Sequence, residues 1–231
     1  LIAGHYDFND AHIDLAPLAQ FANARLFHDE AVGLDLPQQK IFCANRPPIH
    51  FDLLSLDIGS LPKLSEGRFD DKAVVVKPVS NFFNRWKELE KRLITNNRPS
   101  TLAIVGGGAG GAELILAAQY RLKQSLRKTG QDPHRISLVL ITSGNEVLPT
   151  HNKWTRKNYE KLLNKKGIKL IKNFDVHSVQ IPTLTSSAGE EALVDEILWV
   201  TNATAPSWIA KSGLEVDSSG FALIDTTLSS V

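Results

Sequence analysis

The sequence predicts an α/β fold built on a parallel β-sheet, and three observations along its 231 residues support that prediction. Short apolar runs, such as residues 102–105, alternate with segments in which apolar residues recur every three or four positions. A glycine-rich turn over residues 106–111 joins one apolar run directly to a long amphipathic segment. Residues 176–194 alternate through turn residues, which predicts an antiparallel flap beside the main sheet.

Composition indicates an ordinary globular protein and argues against several classes of function. The 26 Lys and Arg residues nearly balance the 25 Asp and Glu residues, so no global field favours nucleic acid or an anionic membrane. No apolar stretch approaches the roughly 20 residues that cross a bilayer, and the start of the chain shows no secretory signal. We therefore expect a cytoplasmic protein without evident membrane association.

Cysteine and histidine content argues against thiol-pair and metal chemistry. Cys43 is the single cysteine, so the chain forms no internal disulfide and no Cys-x-x-Cys redox pair. The seven histidines show no metal-ligand spacing, and we expect no metal site. No nucleophile or general base stands out, so we also assign no catalytic residue.

The first 98 residues predict a mixture of short elements. These are a helix over 15–23, a hairpin over 31–43, a strand over 51–58, a strand over 73–76 and a helix over 79–96. Residues 51–58 are almost continuously apolar, as expected for a strand buried on both faces. The polar stretch 96–100 is the clearest linker in the chain, and we place a domain boundary there.

The remaining residues predict alternating strands and helices. These are a strand over 102–105, a helix from the glycine turn to a cap at Gly130, a strand over 136–141, a helix over 152–166, strands over 168–171 and 196–201, and the intervening flap. Apolar residues at a spacing of four place one face of the first helix on the sheet. The basic residues Lys123 and Arg127 in its second half are interpreted as a solvated face near the helix end.

The glycine turn has the spacing that binds the pyrophosphate of a dinucleotide. Gly106 permits the tight turn, Gly108 has no Cβ to block the phosphates, and Gly111 lets the helix pack closely on the sheet. The free N–H groups and the positive dipole end of the helix then face the phosphate charge. A glycine-rich turn without a ligand remains the alternative. Together these elements form a Rossmann-type unit whose flap is typical of flavoprotein disulfide reductases.

Several motifs extend this pattern beyond the glycine turn. They are Leu1-Ile-Ala-Gly-His-Tyr6, Ile13-Asp-Leu-Ala-Pro-Leu18, Val32-x-Gly-Leu-Asp35, Asp52-Leu-Leu-Ser-Leu-Asp-Ile-Gly-Ser60, Val76-Lys-Pro78, Ile197-Leu-Trp-Val-Thr-Asn-Ala203, Gly213-Leu-x-x-Asp217 and Gly220-Phe-x-x-x-Asp225. With them the chain resembles the FAD/NAD(P)-dependent pyridine nucleotide-disulfide oxidoreductases, which include type II NADH dehydrogenases and sulfide:quinone reductases. The opening segments resemble in particular the flavoprotein-like module fused ahead of selenide, water dikinase in some bacteria.

This resemblance implies a domain division and two cofactors. An NAD(P)-binding domain over 99–203 would be inserted in a partial FAD-binding domain, formed by 1–98 with a linking helix and by the start of a returning segment over 204–231. The family's FAD glycine loop would precede Leu1, and its Gly-Asp contact to FAD would follow Val231. We therefore expect a fragment of a longer polypeptide, which is inactive alone and holds FAD poorly, with FAD and NAD(P)H bound in the parent protein.

The resemblance also assigns the candidate cofactor-binding residues. They are Gly106, Gly107, Gly108, Ala109, Gly110 and Gly111 in the turn, Glu113 in the first helical turn, Thr142 and Asn202 at strand ends, and Val32, Gly59 and Lys77 near FAD. Two of them depart from the family pattern. Thr142 stands where NADH-selective members carry a carboxylate, with Glu146 the nearest acid and no arginine nearby to bind a 2′-phosphate, so the choice between NADH and NADPH is open. Asn202 replaces a glycine that often closes the last strand.

The sequence leaves two classes of function open. The first is an FAD-dependent NAD(P)H oxidoreductase of the NADH dehydrogenase type, which passes hydride from NAD(P)H to FAD and electrons to an unknown acceptor, such as a quinone or a selenium compound. The second is a non-catalytic module that senses a nucleotide or holds a partner domain, attached to a selenide, water dikinase. The Thr142 and Asn202 departures favour the second class, and the balanced charge argues against nucleic acid as a partner of either.

Overall fold

The computed structural model describes residues 1–64, 67–201 and 203–230. The chain forms two compact units. The sheet unit comprises Leu1–Asp7 and Pro62–Asn202, and the hairpin unit comprises Phe8–Leu61 and Ala203–Val231. The α/β fold that the sequence predicts is confirmed, with one parallel sheet and separate antiparallel sheets.

The helices and strands are numbered in chain order. The helices are α1 (Leu15–Phe21), α2 (Val79–Thr95), α3 (Ala109–Lys128), α4 (Lys153–Lys165) and α5 (Ser207–Lys211), and a 3-10 helix spans Asn9–Ala11. The strands are β1 (Ala31–Asp35), β2 (Lys40–Cys43), β3 (Ile49–His50), β4 (Leu61–Pro62), β5 (Val74–Val75), β6 (Ser100–Val105), β7 (Ile136–Ile141), β8 (Lys169–Ile171), β9 (Val176–Gln180), β10 (Thr183–Ser186), β11 (Glu191–Leu193), β12 (Glu196–Trp199) and β13 (Ala203–Thr204).

Five parallel strands form the sheet of the sheet unit, in the order β5-β12-β6-β7-β8. The crossovers between them include the helices that the apolar spacing predicts. Val105, the last residue of β6, lies opposite Ile141 on one side and Trp199 on the other. Because the strands are parallel, their carboxyl ends meet at one edge, where ligands of open α/β sheets bind.

Alternation along the strands gives the sheet two apolar faces. Leu102 and Ile104 of β6 point to one face, where they join a buried cluster with residues of α2, α3 and α4. Ala103 and Val105 point to the other face, where they join residues of β9 and β10. The antiparallel sheet β11-β10-β9 is the flap that the sequence predicts, and it covers the second face.

The hairpin unit contains the antiparallel sheet β1-β2-β3, which confirms the predicted hairpin. One prediction for this unit is wrong. Residues 51–58 form no strand and lie mostly at the surface, with Leu53 93% exposed. Asp52, Ser55 and Asp57 interrupt the apolar run, and no strand of the described chain pairs with this segment.

Candidate functional site

The glycine turn lies at the carboxyl edge of the parallel sheet, directly between β6 and α3. Gly106 has φ +130°, a conformation that side-chain-bearing residues rarely adopt. Its N–H donates to the Ile141 carbonyl at 2.9 Å, which joins the turn to β7. A Cβ at this position would collide with the Val200 carbonyl oxygen. The turn therefore requires glycine at residue 106.

Two further glycines of the turn are fixed by close packing. A Cβ at Gly111 would overlap the Gly106 carbonyl oxygen, so only glycine lets the helix start this close to the turn. A Cβ at Gly107 would collide with the Thr142 hydroxyl, and the Gly107 carbonyl accepts from Leu148 N–H at 2.7 Å. Both glycines are buried, and their contacts hold the shape of the turn.

Gly108 differs from these three glycines, because its surroundings do not require glycine. A Cβ there meets no described atom within 4 Å, and Gly108, Ala109 and Gly110 are exposed. Gly108 is the N-cap of α3, and no side chain of the described residues caps it. Its carbonyl accepts from Ala112 N–H at 3.0 Å, which closes the first helical turn. The N–H groups that precede Ala112 at this helix start have no partner inside the helix.

Glu113 lies at the surface of the first turns of α3, one residue beyond a contact with α4. The Tyr159 hydroxyl of α4 donates to the Ala112 carbonyl at 2.6 Å. Burial, and to a smaller extent the charge of Glu113, raise the pKa of Tyr159. The hydroxyl therefore stays protonated and continues to donate, which fixes α4 against the start of α3.

Thr142 follows β7 and is buried beneath the turn, with its side chain against Gly107. Its N–H donates to the Ile171 carbonyl at 2.9 Å, and its carbonyl accepts from Phe174 N–H at 3.0 Å. Asn202, the other predicted departure from the family pattern, lies outside the described residues. The cofactor-binding roles of both residues stay predictions.

The structure brings an ion pair to this edge that sequence reasoning missed. Arg156 of α4 pairs with Glu146 in the segment after β7. The prediction that no arginine lies near this acid is therefore wrong, because α4 brings Arg156 to a residue ten positions before it in sequence. Glu146 is partly exposed, with a side-chain exposure of 41%, and the Arg156 Nε atom is buried without a hydrogen-bond partner among the described residues. No helical repeat joins the two residues, because Glu146 lies in the segment before α4 and Arg156 lies within that helix.

The three residues predicted near FAD lie in different units. Val32 of β1 is 44% exposed in the hairpin unit. Gly59 is exposed in the same unit and has φ +69°, and an added Cβ there meets no described atom within 4 Å. Lys77 follows β5 in the sheet unit and is half-buried. The surfaces of Val32 and Gly59 leave room for a ligand, and the FAD contacts of all three stay predictions.

Two classes of feature are absent from the described residues. Within residues 1–64, 67–201 and 203–230, no group of three or more His, Cys, Asp or Glu residues has a metal-binding arrangement. Within the same ranges, none of the helices is both long and apolar enough to cross a membrane.

Solved structures with this fold include three oxidoreductases. The NAD-dependent persulfide reductase of A. fulgidus superposes with a TM-score of 0.75 at 15% identity, over 97% of this chain and 41% of that protein. NDH2 of Plasmodium falciparum in complex with NADH gives 0.68 at 21% identity, over 80% and 42%. The engineered water-forming NADPH oxidase TPNOX, a mutant of LbNOX bound to NADPH, gives 0.75 at 16% identity, over 99% and 49%. The chain thus spans less than half the length of each.

A family model identifies the chain itself. The model described as pyridine nucleotide-disulphide oxidoreductase matches residues 22–231, which is most of the chain. The match includes the glycine turn, the parallel sheet and the antiparallel flap, as well as much of the hairpin unit. The chain belongs to the pyridine nucleotide-disulphide oxidoreductase family.

Proposed function

We propose that the turn over residues 106–111 binds the pyrophosphate of NAD(P)H in an FAD-dependent oxidoreductase of the NADH dehydrogenase type. The observation that carries the proposal is the contrast within the turn. Gly106, Gly107 and Gly111 are required by contacts within the protein, whereas the space above Gly108 is open. A glycine that packing does not require, at the uncapped start of α3, is explained by the close approach of phosphates.

The residues of the turn fit the chemistry of a bound dinucleotide. The first N–H groups of α3 are donors without partners inside the helix, and they belong to a turn that is open above Gly108. The helix dipole adds positive potential there, and no carboxylate of the described residues caps the helix to compete with a phosphate. The turn is held by hydrogen bonds from Gly106 to β7 and from Leu148 to Gly107, so its donors are oriented before a ligand arrives.

The redox step itself belongs to the cofactors, and this chain positions them. When bound, NAD(P)H supplies a hydride and FAD accepts it. In this proposal Val32 and Gly59 approach FAD through their backbone, and Lys77 approaches its ring system. Cys43 is the only thiol of these 231 residues, so a paired-thiol route to the acceptor is disfavoured. Because the chain spans less than half of the compared structures, the activity is proposed for the whole protein.

For the nucleotide preference, we propose NADH, with Glu146 as the acceptor for the adenosine ribose hydroxyls. The carboxylate lies in the segment after β7, and in this class of fold the residues that follow this strand bind the ribose. Arg156 holds Glu146 in place, and the pair keeps the arginine from a 2′-phosphate. We expect Glu146→Gln to weaken NADH binding and to improve NADPH binding, each by about threefold to tenfold, since a lone arginine attracts the added phosphate. Titrations of both nucleotides measure this, and an unchanged ratio of the two affinities contradicts it.

A second candidate function is a non-catalytic module that senses a nucleotide, as in the proposed link to selenide, water dikinase. The burial of Thr142 against Gly107 favours it, because that side chain offers a ribose no contact, which fits a nucleotide held too loosely for hydride transfer. A sensing module binds the nucleotide without passing electrons. The two candidates therefore differ in electron transfer and agree in binding.

Two measurements test these proposals, the first on this chain and the second on the whole protein. Titration with NADH and with NADPH, followed by nicotinamide fluorescence, is expected to give a dissociation constant below about 1 mM for at least one of them. Absence of binding of either nucleotide at that concentration contradicts both candidates. In the whole protein, with FAD added, NADH-dependent bleaching of the flavin absorbance supports the oxidoreductase, and nucleotide binding without bleaching supports the sensing module.

A further inference from the structure

A basic cleft lies between the second halves of α3 and α4, in the sheet unit. It is a cavity of about 610 Å³ whose lining includes Lys123 and Arg127 from α3 and Lys165 and Lys166 at the end of α4. None of the ten described residues that line it is an Asp or a Glu. A cavity of this volume has the size of a small-molecule site, and the full charges of its lining at neutral pH are positive.

The cations of this cleft differ from other cations of the sheet unit. Arg92, Arg98, Arg121, Arg156 and Lys172 each pair with a carboxylate. None of the four cleft cations has such a pair within the part of the chain that the structure describes. Lys123 and Arg127 stand four residues apart on α3, where two like charges destabilise a helix. Proximity to the helix ends offsets part of that repulsion, and a bound anion would offset more of it.

The floor of the cleft is fixed by a buried hydrogen bond. Gln119 is only 6% exposed, and its side-chain amide donates to the Lys166 carbonyl at 2.9 Å. This bond ties α3 to the turn that ends α4. Tyr120 lies beside it on the rim, 46% exposed, where it presents an aromatic surface next to the cations. The charged side chains therefore surround a cavity whose backbone is already in place.

The cleft is separate from the glycine turn. Both involve α3, but the turn lies at the start of that helix, whereas the cleft begins at Gln119 and continues to Arg127. At a rise of 1.5 Å per residue, Lys123 lies about 20 Å along the helix from its first residue. An anion in the cleft is therefore a different ligand from the pyrophosphate of the dinucleotide.

We propose that this cleft binds a small polyphosphate anion, either inorganic or carried by a nucleoside. Four closely placed cations suit a ligand with several phosphate charges, each able to accept charge-assisted hydrogen bonds. A nucleic acid fits less well. Lys and Arg exceed Asp and Glu by only one over the whole chain, so its net charge does not favour a long phosphate backbone.

Binding to the purified chain is measured by calorimetry with inorganic triphosphate and, separately, with ATP. We expect both to bind, with the affinity falling as salt is added. The double variant K123Q/R127Q should weaken binding about tenfold or more, because it removes two charged donors. The matched control K72Q/K91Q changes the same charge at exposed lysines outside the cleft and should bind as the wild type does. A tighter affinity for ATP indicates a nucleoside on the rim, and equal affinities indicate recognition of the phosphates alone.

Three results would overturn the proposal. They are no heat of binding for either anion, equal binding by K123Q/R127Q and the wild type, and tighter binding of a single-stranded DNA 20-mer than of triphosphate. If the anion binds at the glycine turn instead of the cleft, K123Q/R127Q and the wild type bind it equally, because the double variant leaves that turn unchanged. Circular dichroism of the double variant verifies that it is folded.

Discussion

The sheet unit and the hairpin unit differ in how many of their large apolar side chains are buried. The sheet unit contains both buried clusters, one on each face of its parallel sheet. Among the described residues of the hairpin unit, only Leu34 and Ile209 are buried large apolar residues, whereas Phe21 and Leu53 are 89% and 93% exposed. Burial of apolar surface is the main favourable term in folding. The sheet unit therefore has the core of an independent domain, and the hairpin unit leaves most of its large apolar side chains at least partly exposed.

The largest expected effect is a loss of stability at a buried leucine of the sheet unit, compared with an exposed leucine of the hairpin unit. Leu122→Ala removes a side chain that is 1% exposed in the cluster between the helices and the sheet. We expect it to lower the free energy of unfolding by about 2–5 kcal/mol. Leu53→Ala makes the same chemical change at a 93% exposed position, and we expect a change within about 0.5 kcal/mol. Denaturant unfolding followed by circular dichroism measures both, and equal losses would contradict the contrast.

The next largest effect is the difference in stability loss between alanine substitutions at two glycines of the turn. Gly111→Ala introduces a Cβ that overlaps the Gly106 carbonyl oxygen, and we expect a loss of about 1–3 kcal/mol as the helix moves away. Gly108→Ala introduces a Cβ into open space, and we expect a loss below about 1 kcal/mol. Thermal unfolding of the two variants measures the difference. If Gly108→Ala is the more destabilising, the packing described for this turn is wrong.

The smallest effect concerns the contact between α4 and the start of α3. Tyr159→Phe removes the hydroxyl that donates to the Ala112 carbonyl and leaves the ring in place. We expect a loss of about 1 kcal/mol, the usual net value of one such hydrogen bond. Hydrogen exchange of the first amides of α3 should also become faster. Unchanged stability and exchange would show that this bond does not hold the helix start.

The sheet unit is also the part that the sequence predicts well. The strand–turn–helix pattern around Gly106 is local, since each element follows the one before it along the chain and its periodicity is visible in one segment. The same holds for the flap, whose turns interrupt a clear alternation. These features depend on neighbours in sequence, and the structure confirms them.

The features that sequence reasoning missed depend on contacts between different elements of the fold. Residues 51–58 have the composition of a buried strand, but a strand also needs a partner, and composition does not supply one. The pairing of Arg156 with Glu146 joins α4 to the segment after β7. In the sequence, Lys123 and Arg127 form an ordinary solvated face of α3. In the fold they line one cavity with Lys165 and Lys166, which come from a different helix end. The roles proposed for the glycine turn, Glu113, Thr142 and Asn202 remain predictions of the family pattern.

The most direct test of the central claim is the NADH affinity of Gly108→Val compared with that of the wild-type chain. The introduced valine side chain would fill the open space above the turn without meeting protein atoms at its Cβ, so thermal stability should change little. If dinucleotide phosphates occupy that space, NADH binding should weaken by at least about tenfold. A variant that is folded, equally stable and binds NADH as tightly as the wild type would contradict the assignment of this turn to the dinucleotide.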